Sequence, residues 1–406
     1  MPRLINIDLV PNFEDDDYEI IKNLLKEKYK KEELEKTNIE ILEILKNYFP
    51  QGEIFFFNSA RGALTFLLSI LEINDQNNII TQAFSCLVVP NAIKFAHYKP
   101  IYVDIDETYN LDVEDLKRKI NEKVKAIIIQ NTFGLPAKIN EILEIAHQYN
   151  ILVIENLTHS LGAKYKEKYL GNFGDVALLS LNRNKVISSI IGAALIVNKK
   201  ELAEKIKNIY KSLPELSQKE IQKIIFTGKV LYEAKKNYNF LTKIYLKFLR
   251  KIGKTMEMVS FIERQSKKPK NYLFKFPEIL SPLLLNQLKK LEKFNEHRKN
   301  IAKIYLKKFS LNFEGEPIFL RFPILIENRD FVLEKFKKEN IYLGDWYKCV
   351  LDPCSDLKNF DYKIGSCPQA EKKAKMIINL PTLIDKEKAE YIVKILIELR
   401  SSNNPN

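Results

Sequence analysis

The sequence predicts an α/β protein built on a mostly parallel β-sheet with helices on both faces. Between about residues 55 and 198, short apolar runs alternate with amphipathic helical stretches. The apolar runs lack the inward–outward alternation of a half-exposed strand, and uninterrupted runs are typical of strands buried on both faces of a parallel sheet. Polar residues follow several of these runs directly. Since such sheets bind ligands beyond the carboxyl ends of their strands, we expect the functional site there.

The predicted elements follow one another in a regular order. Residues 15–49 have a helical pattern rich in glutamate and lysine. The strands of the sheet are predicted at residues 79–80, 101–103, 126–129, 151–154, 176–179 and 193–197. Residues 199–310 are helical and basic. A strand at 319–326, a helix at 329–339, a strand near Ile341 and a helix at 386–399 then predict a small C-terminal α+β domain.

These patterns divide the chain into four segments. They are an N-terminal helical arm (1–54), a large α/β domain (55–214), a basic helical insert (215–270), and a last part (271–406) holding an interdomain helix and the small C-terminal domain.

The basic insert contains one strongly amphipathic segment, residues 241–254. Its apolar stripe consists of Leu241, Ile244, Tyr245, Phe248, Leu249 and Ile252, and its basic side of Lys243, Lys247, Arg250 and Lys254. This pattern suits a helix that packs on its own protein and equally a helix that lies on an anionic membrane surface, because amphipathicity alone does not separate the two. We favour packing on protein and keep the membrane surface as the alternative.

Composition and charge set limits on the class of protein. The chain has 406 residues, and 65 lysines and arginines against 52 acidic residues give a net charge of +13. This surplus suits an anionic partner, such as a phosphorylated ligand, a nucleic acid or a membrane surface, and suits a lysine-rich proteome equally well. The N-terminus turns acidic within twenty residues, so we expect no signal peptide and no membrane span.

Cysteines and histidines give no sign of a metal site. Cys86, Cys349, Cys354 and Cys367 are too few and too scattered for a disulfide scaffold, and they lack the close pairs of a zinc site. Cys349 and Cys354 look like mere neighbours. The four histidines show no metal-binding spacing either. We therefore expect no metal and a reduced, cytoplasmic compartment.

The chemistry must come from three strand-end segments, because the dinucleotide fingerprint, the P-loop and the Gly-x-Ser-x-Gly elbow are all missing. Residues 57–64 place small and polar residues at a helix start, which suits either phosphate binding or an ordinary helix cap. Residues 153–163 form the second segment and 171–189 the third. Within the third, Lys185 lies between apolar strand segments. Burial lowers the pKa of such a lysine, so its neutral amine can attack an aldehyde, although a plain loop lysine fits as well.

The order of these segments resembles the DegT/DnrJ/StrS family of pyridoxal-phosphate (PLP) aminotransferases, which act on nucleotide sugars. Further matches lie at 100–106, 131–136, 367–371 and 379–382. Residues 321–323, residues 344–347 and the helical insert are similar to a divergent branch of that family. The resemblance implies a fold-type-I protein with a seven-stranded, mostly parallel sheet, a small C-terminal domain, no nucleic-acid partner, and a homodimer with shared active sites.

Residue by residue, the resemblance implies a set of cofactor contacts. Lys185 would bind the cofactor covalently and later move the proton of the transamination. Ser180 and the backbone N–H groups of Ala60 and Arg61 would hold the phosphate. His159 would lie near the phenolic oxygen.

The same set departs from the family pattern at several positions. Asn156 stands where the family has an aspartate that keeps the pyridine nitrogen protonated, and a neutral amide cannot do this electrostatically. Cys86 stands where an aromatic ring usually stacks on the cofactor, and Arg61 replaces threonine or serine. Residues 190–193 replace a glycine-rich run, and residues 271–275 match the partner-subunit motif only loosely.

Three functions remain open at this point. The first is a PLP-dependent aminotransferase that moves an amino group, expected to come from glutamate, to a nucleotide-linked keto-sugar in surface-polysaccharide or amino-sugar biosynthesis. The second is a sugar dehydratase, against which Lys185 argues because the family's dehydratases have histidine there. The third is a non-catalytic or regulatory homologue, which Asn156 and Cys86 favour and Lys185 and Ser180 oppose.

Overall fold

The computed structural model describes residues 5–71, 77–270 and 272–401. Asn271, the first residue of the loosely matching motif, lies outside them. The α-helices are α1 Asp15–Leu25, α2 Lys31–Tyr48, α3 Ala60–Ser69, α4 Val88–Phe95, α5 Val113–Lys119, α6 Ile139–Gln148, α7 Lys200–Tyr210, α8 Gln218–Lys236, α9 Phe240–Lys251, α10 Phe261–Arg264, α11 Ser281–Lys289, α12 Leu291–Leu306, α13 Arg329–Lys338, α14 Pro368–Met376 and α15 Lys386–Ser401. The strands are β1 Ile5–Asn6, β2 Glu53–Phe57, β3 Asn78–Gln82, β4 Ser85–Cys86, β5 Lys99–Val103, β6 Val124–Gln130, β7 Leu152–Asn156, β8 Lys164–Tyr165, β9 Lys168–Tyr169, β10 Val176–Ser180, β11 Ala193–Val197, β12 Phe322–Leu325, β13 Ile341–Tyr342, β14 Leu351–Asp352 and β15 Ile377–Leu380.

A seven-stranded sheet forms the centre of the large domain, as predicted. Its strand order is β2-β11-β10-β7-β6-β3-β5. Strand β11 runs antiparallel to both of its neighbours, and the pairs from β10 to β5 are parallel. The carboxyl ends of β3, β6, β7 and β10 therefore meet at one edge of the sheet, where Gln82, Gln130, Asn156 and Ser180 are the last residues.

Alternate residues of each central strand enter two separate apolar cores. On β6, Ile127 and Ile129 pack with helices α1, α2, α6, α8 and α11, while Ala126 and Ile128 pack with α3, α4 and α7. This arrangement explains the uninterrupted apolar runs, because both faces of the sheet are covered. The fold-type-I architecture expected from the resemblance is confirmed.

The small domain is joined to the rest of the chain by two short strand pairs. Its own sheet pairs β12 with β15 antiparallel, over a core shared with α12, α13, α14 and α15. Strand β1 pairs parallel with β13, and β4 pairs parallel with β14. The N-terminal arm is thus not purely helical, since Ile5–Asn6 extends the small domain.

Several predicted boundaries differ from the structure. The sheet begins at Glu53, inside the predicted arm, because the polar Glu53 pairs with Val197 as an ordinary strand residue. The strand predicted at 319–326 spans only Phe322–Leu325. Cys349 and Cys354 form a disulfide with their Cα atoms 5.5 Å apart, contrary to the expectation of unpaired neighbours.

Of the six residues of the apolar stripe, only one is covered by this chain itself. Helix α9 rests on the protein through Leu249, which is 5% exposed, and through the partly buried Leu246. Leu241, Ile244, Tyr245, Phe248 and Ile252 are 49–73% exposed. The apolar side of this helix is therefore turned to the surface of the chain. Among the described residues, every helix is too short or too polar to cross a bilayer.

Candidate active site

A cavity of about 930 Å³ lies at the carboxyl edge of the sheet, between the large domain, the small domain and the insert. Six of the seven predicted site residues line it, namely Ala60, Arg61, Cys86, Asn156, Ser180 and Lys185. The seventh, His159, contacts Lys185 directly. Segments as far apart as residues 60 and 185 meet here because strands β7 and β10 end at the same edge and helix α3 starts beside it.

The loop that carries Lys185 is fixed by the N-terminal segment and helix α12. Asn12, which is fully buried, donates from Nδ2 to the carbonyl oxygens of Lys185 and Val186, both at 2.8 Å. The buried guanidinium of Arg298 donates to the Val186 oxygen at 2.9 Å and to Asn12 Oδ1 at 3.2 Å. Buried polar groups that are fully paired hold one geometry. Asn12 and Arg298 therefore fix the backbone at Lys185, while the Lys185 side chain lines the cavity.

Lys185 and His159 are two bases whose pKa values are both lowered. The Nζ atom of Lys185 lies 3.1 Å from His159 Nε2. The pKa of Lys185 is lowered to about 8, mainly by burial; Cys86 opposes this shift and Arg321 adds to it. Burial also lowers the pKa of His159 well below its ordinary value, and the charges of Lys185 and Arg321 act in the same direction. The backbone N–H of Phe133 donates to His159 Nδ1 at 3.3 Å, so the ring proton of the neutral histidine sits on Nε2. That N–H faces the Lys185 amine.

The start of helix α3 and the end of β10 form an anion site. Ala60 and Arg61 are the first two helical residues, so their N–H groups have no partner within the helix, and the helix dipole favours an anion there. Ser59 caps the helix by accepting from the N–H of Gly62. Ser180 brings its hydroxyl to the same cavity. This set of donors fits a phosphate group.

The side chain of Arg61 is engaged by the insert. Its guanidinium forms an ion pair with Glu263 of helix α10 and donates to the carbonyl oxygen of Met258 at 2.8 Å. Glu263 is 3% exposed and also accepts from the N–H of Ser260. Sequence reasoning missed this contact, since 202 residues separate the two partners. The segment after the insert reaches the same helix, because the Tyr272 hydroxyl donates to the Arg61 carbonyl oxygen at 3.2 Å.

Asn156 presents a hydrogen-bond donor to the cavity. Its Oδ1 accepts from the backbone N–H of Thr158 at 3.2 Å. A backbone N–H can only donate, so this contact fixes the amide orientation and leaves Nδ2 on the cavity side. An aromatic nitrogen opposite Nδ2 would have to accept, which means that it would be unprotonated.

Four further residues of this region were not predicted as site residues; Trp346, Tyr347 and Asp352 line the cavity, and Arg321 lies behind Trp346. Trp346 stacks on His159 with ring centroids 5.2 Å apart, and the Lys185 ammonium lies 4.9 Å from the Trp346 ring. The guanidinium carbon of the buried Arg321 lies 3.4 Å from the centroid of the Trp346 ring. The same guanidinium donates to Asp8 Oδ1 at 2.9 Å. The Tyr347 hydroxyl lies 3.3 Å from His159 Nε2. Asp352 is the fourth, and burial raises its pKa to about 7.

Trp346 is the only tryptophan of the chain and lies within the segment 344–347 that resembles a divergent branch of the family, and these two signals could have marked it. Cys86 reaches the cavity because β4 pairs with β14, which sets it opposite Asp352. Burial raises the pKa of the Cys86 thiol, so it acts as a small neutral wall residue.

Comparisons with known proteins agree with this geometry. The sequence matches the DegT/DnrJ/EryC1/StrS aminotransferase family over residues 31–397. The chain belongs to this family. It is 30% identical to an uncharacterized protein of Methanocaldococcus jannaschii over 365 residues, which cover 84% of this chain and 83% of the other. It is 36% identical to the GDP-perosamine synthase of Escherichia coli O157:H7 over 144 residues, 35% of this chain and 40% of that enzyme.

The fold of this DegT/DnrJ/EryC1/StrS protein is also that of a solved aminotransferase. The structure of Helicobacter pylori PseC, an aminotransferase of pseudaminic acid biosynthesis, superimposes with a TM-score of 0.72 at 22% identity, covering 96% of this chain and 97% of that one. The chain is accordingly a PLP-dependent enzyme of fold type I.

The residues present fit this cofactor. The cavity offers an anion site at helix α3 and Ser180, a lysine amine of lowered pKa, and a donor at Asn156. Ala60, Arg61 and Ser180 would hold the phosphate, Asn156 the ring nitrogen, and Lys185 the aldehyde carbon. When bound, the cofactor supplies a ring that withdraws electrons from the amino carbon of the substrate.

Proposed function

We propose that this protein transfers an amino group from glutamate to the ketone carbon of a nucleotide-linked sugar, releasing 2-oxoglutarate and an amino sugar. The amino group and two electrons leave glutamate and reach the sugar by way of the cofactor, so the two half-reactions balance. The proposal is supported by the match to an aminotransferase family, by the similarity to a GDP-perosamine synthase, and by the site described above.

The observation that carries the proposal is the Lys185 amine in its cavity. A lysine with a pKa of about 8 has a neutral fraction of about a tenth to a fifth near physiological pH, far more than a free lysine, so its amine can accept a proton from carbon and return it. His159 is held neutral beside it and donates through Nε2, which keeps the amine oriented without adding a charge. Trp346 stacks on the imidazole of His159, which is 1% exposed.

The outer wall of the cavity suits a diphosphate. Arg183, Lys223 and Arg250 all line it, and none of the three forms an ion pair within the described parts of the chain. Burial and the neighbouring Arg250 lower the pKa of Arg183 to about 10, which leaves it charged at neutral pH. Arginine forks bind phosphate oxygens well because they offer paired donors. A nucleotide diphosphate on this wall would place its sugar towards Lys185.

A second candidate, a homologue that binds PLP without efficient transamination, has specific support in Asn156. A neutral amide that donates towards the ring nitrogen leaves the ring uncharged, and an uncharged ring stabilises the carbanion less. Cys86 adds to this, because it offers no ring to stack on the cofactor. A homodimer and a cytoplasmic location belong to both candidates as further parts of the proposal.

Absorption spectroscopy of the PLP-loaded protein tests the two candidates together. We expect a band above about 400 nm that disappears on adding glutamate and returns with a UDP- or GDP-linked 4-keto sugar. Borohydride reduction followed by peptide mapping should place the pyridoxyl group on Lys185, with Lys185→Ala as the control. Labelling elsewhere would reject the site, and a bound cofactor that no amino donor changes would favour the non-catalytic candidate.

A further inference from the structure

We propose that the outer face of helix α9 docks this protein on an anionic membrane surface. This face consists of Phe240, Leu241, Ile244, Tyr245, Phe248 and Ile252, all between 49% and 74% exposed. At about 100° per residue, these six side chains fall within an arc of about 140°. Scattered apolar residues are normal on a protein surface, but a continuous stripe of six on one helix marks an interaction site.

The helix is held so that this face points away from the protein. On the opposite side of α9, Leu249 is buried and Leu246 packs against the apolar core that lies on one face of the central sheet. Lys243 anchors the same inner border, because its ammonium contacts the Tyr342 hydroxyl and lies over the Tyr238 and Tyr342 rings. These contacts fix the rotation of α9 about its axis. The outer face is therefore exposed in a fixed orientation.

The charges beside the face select an anionic partner. Between Glu233 and Glu257 the chain has seven lysines and arginines and no acidic residue. Of these, Lys247, Lys251 and Lys254 are exposed, and no ion pair involves them among the residues that the structure describes. Lysines next to an apolar stripe can extend to lipid headgroups while the stripe enters the acyl boundary. Anionic lipids add attraction for each such lysine.

The same charges argue against a face-to-face contact between the α9 helices of two copies of the chain. A self-complementary contact through the outer face would bring two sets of lysines together without an acidic residue between 234 and 256 to pair with them. Like charges at an interface oppose association. A membrane surface carries the opposite sign over its whole area, so it satisfies both the apolar stripe and the lysines.

Vesicle co-sedimentation of the full-length, PLP-loaded protein tests the proposal. The probes are vesicles of phosphatidylcholine alone and vesicles in which one third is phosphatidylglycerol. We expect about tenfold more protein on the anionic vesicles, and we expect added salt to reduce it because salt screens the lysines. Leu241→Ser with Phe248→Ser, and separately Lys247→Glu with Lys251→Glu, should each reduce binding about tenfold.

Matched control variants distinguish binding through this face from non-specific binding to vesicles. Phe331 and Ile364 are also exposed, at 48% and 75%, so Phe331→Ser with Ile364→Ser removes equal apolar character elsewhere. Lys307→Glu with Lys308→Glu makes the same change of charge as Lys247→Glu with Lys251→Glu, at a site away from α9. Both control pairs should bind like the parent. No binding to anionic vesicles, or equal loss in the controls, overturns the proposal. So does a change in sedimentation coefficient of the Leu241/Phe248 variant without lipid, because that result assigns the face to a subunit contact.

Discussion

At the scale of single residues, the site rests on groups whose protonation is set by their neighbours. The Phe133 N–H fixes the tautomer of His159, the Thr158 N–H fixes the amide of Asn156, and burial with Arg321 lowers the pKa of Lys185. Together, these neighbours fix the proton on His159, fix the amide orientation of Asn156, and lower the pKa of Lys185, all close to the phosphate site at the start of α3.

We predict that Asn156→Asp accelerates the half-reaction with glutamate about tenfold or more, since each 1.4 kcal/mol of barrier gives that factor. The new carboxylate can still accept from Thr158 and places a negative charge where a protonated ring nitrogen would be stabilised. Stopped-flow absorbance with excess glutamate measures the rate. Asn182→Asp, which adds the same charge elsewhere on the cavity wall, is the control and should not accelerate it. An unchanged or slower rate in a PLP-bound Asn156→Asp protein would show that the site is tuned for an uncharged ring.

A second residue-scale prediction concerns pH. The pKa of Lys185 lies near 8, below the ordinary lysine value, because burial disfavours its charge. The neutral fraction, which attacks the aldehyde, therefore grows as the pH rises through about 8. We expect the rate of PLP incorporation into cofactor-free protein to rise between about pH 7 and about pH 9 and then level off. A rate that continues to climb towards the pKa of a free lysine would contradict this assignment. Lys185→Ala should show no covalent incorporation.

At the scale of elements, the insert acts on the phosphate site through one ion pair. Glu263 neutralises Arg61 in the first turn of α3, where an anion would otherwise find a full positive charge. The capping box at Ser260 holds Glu263 in place, so the pair depends on the folded insert.

Glu263→Gln should therefore tighten PLP binding. The change leaves the partly buried Arg61 unpaired in the cofactor-free protein, and the cofactor phosphate then relieves that cost. We expect the dissociation constant to fall about tenfold and the melting temperature of the cofactor-free form to drop, while that of the loaded form changes little. Fluorescence titration and thermal melts measure the two effects. The control is Glu257→Gln, an exposed acid of the same insert. Weaker PLP binding in Glu263→Gln would mean that Glu263 supports the site instead of competing with it.

The elements also show how far a sequence can lead. The strand ends could be predicted because each is a local change from apolar to polar residues, and the order of the ends selected the family. The places of Trp346 and Arg321 in the site could not be predicted, because Trp346 meets His159, and Arg321 meets Trp346, only through contacts between distant segments. For α9, periodicity correctly indicated an apolar side, but which neighbour covers that side is a tertiary property that the helical period does not contain.

At the scale of the whole molecule, we expect a homodimer with active sites shared between subunits. The expectation rests on the architecture implied by the family and on a cavity that opens between two domains and the insert. Sedimentation velocity at micromolar concentration should give a single dimeric species in the PLP-loaded protein. A stable monomer that retains PLP and reacts with glutamate would remove the shared-site expectation.

The short strand β1 has a mechanical consequence. Ile5 and Asn6 are hydrogen-bonded to the small domain at β13, and only a few residues later Asn12 holds the backbone of Lys185. Asp8, between them, is bound to Arg321 of the small domain. The stretch from Ile5 to Asn12 is thus a tether with one end on the small domain and the other on the reactive lysine. If the small domain moves as substrate enters, we expect residues 5–12 to transmit that movement to the backbone of Lys185.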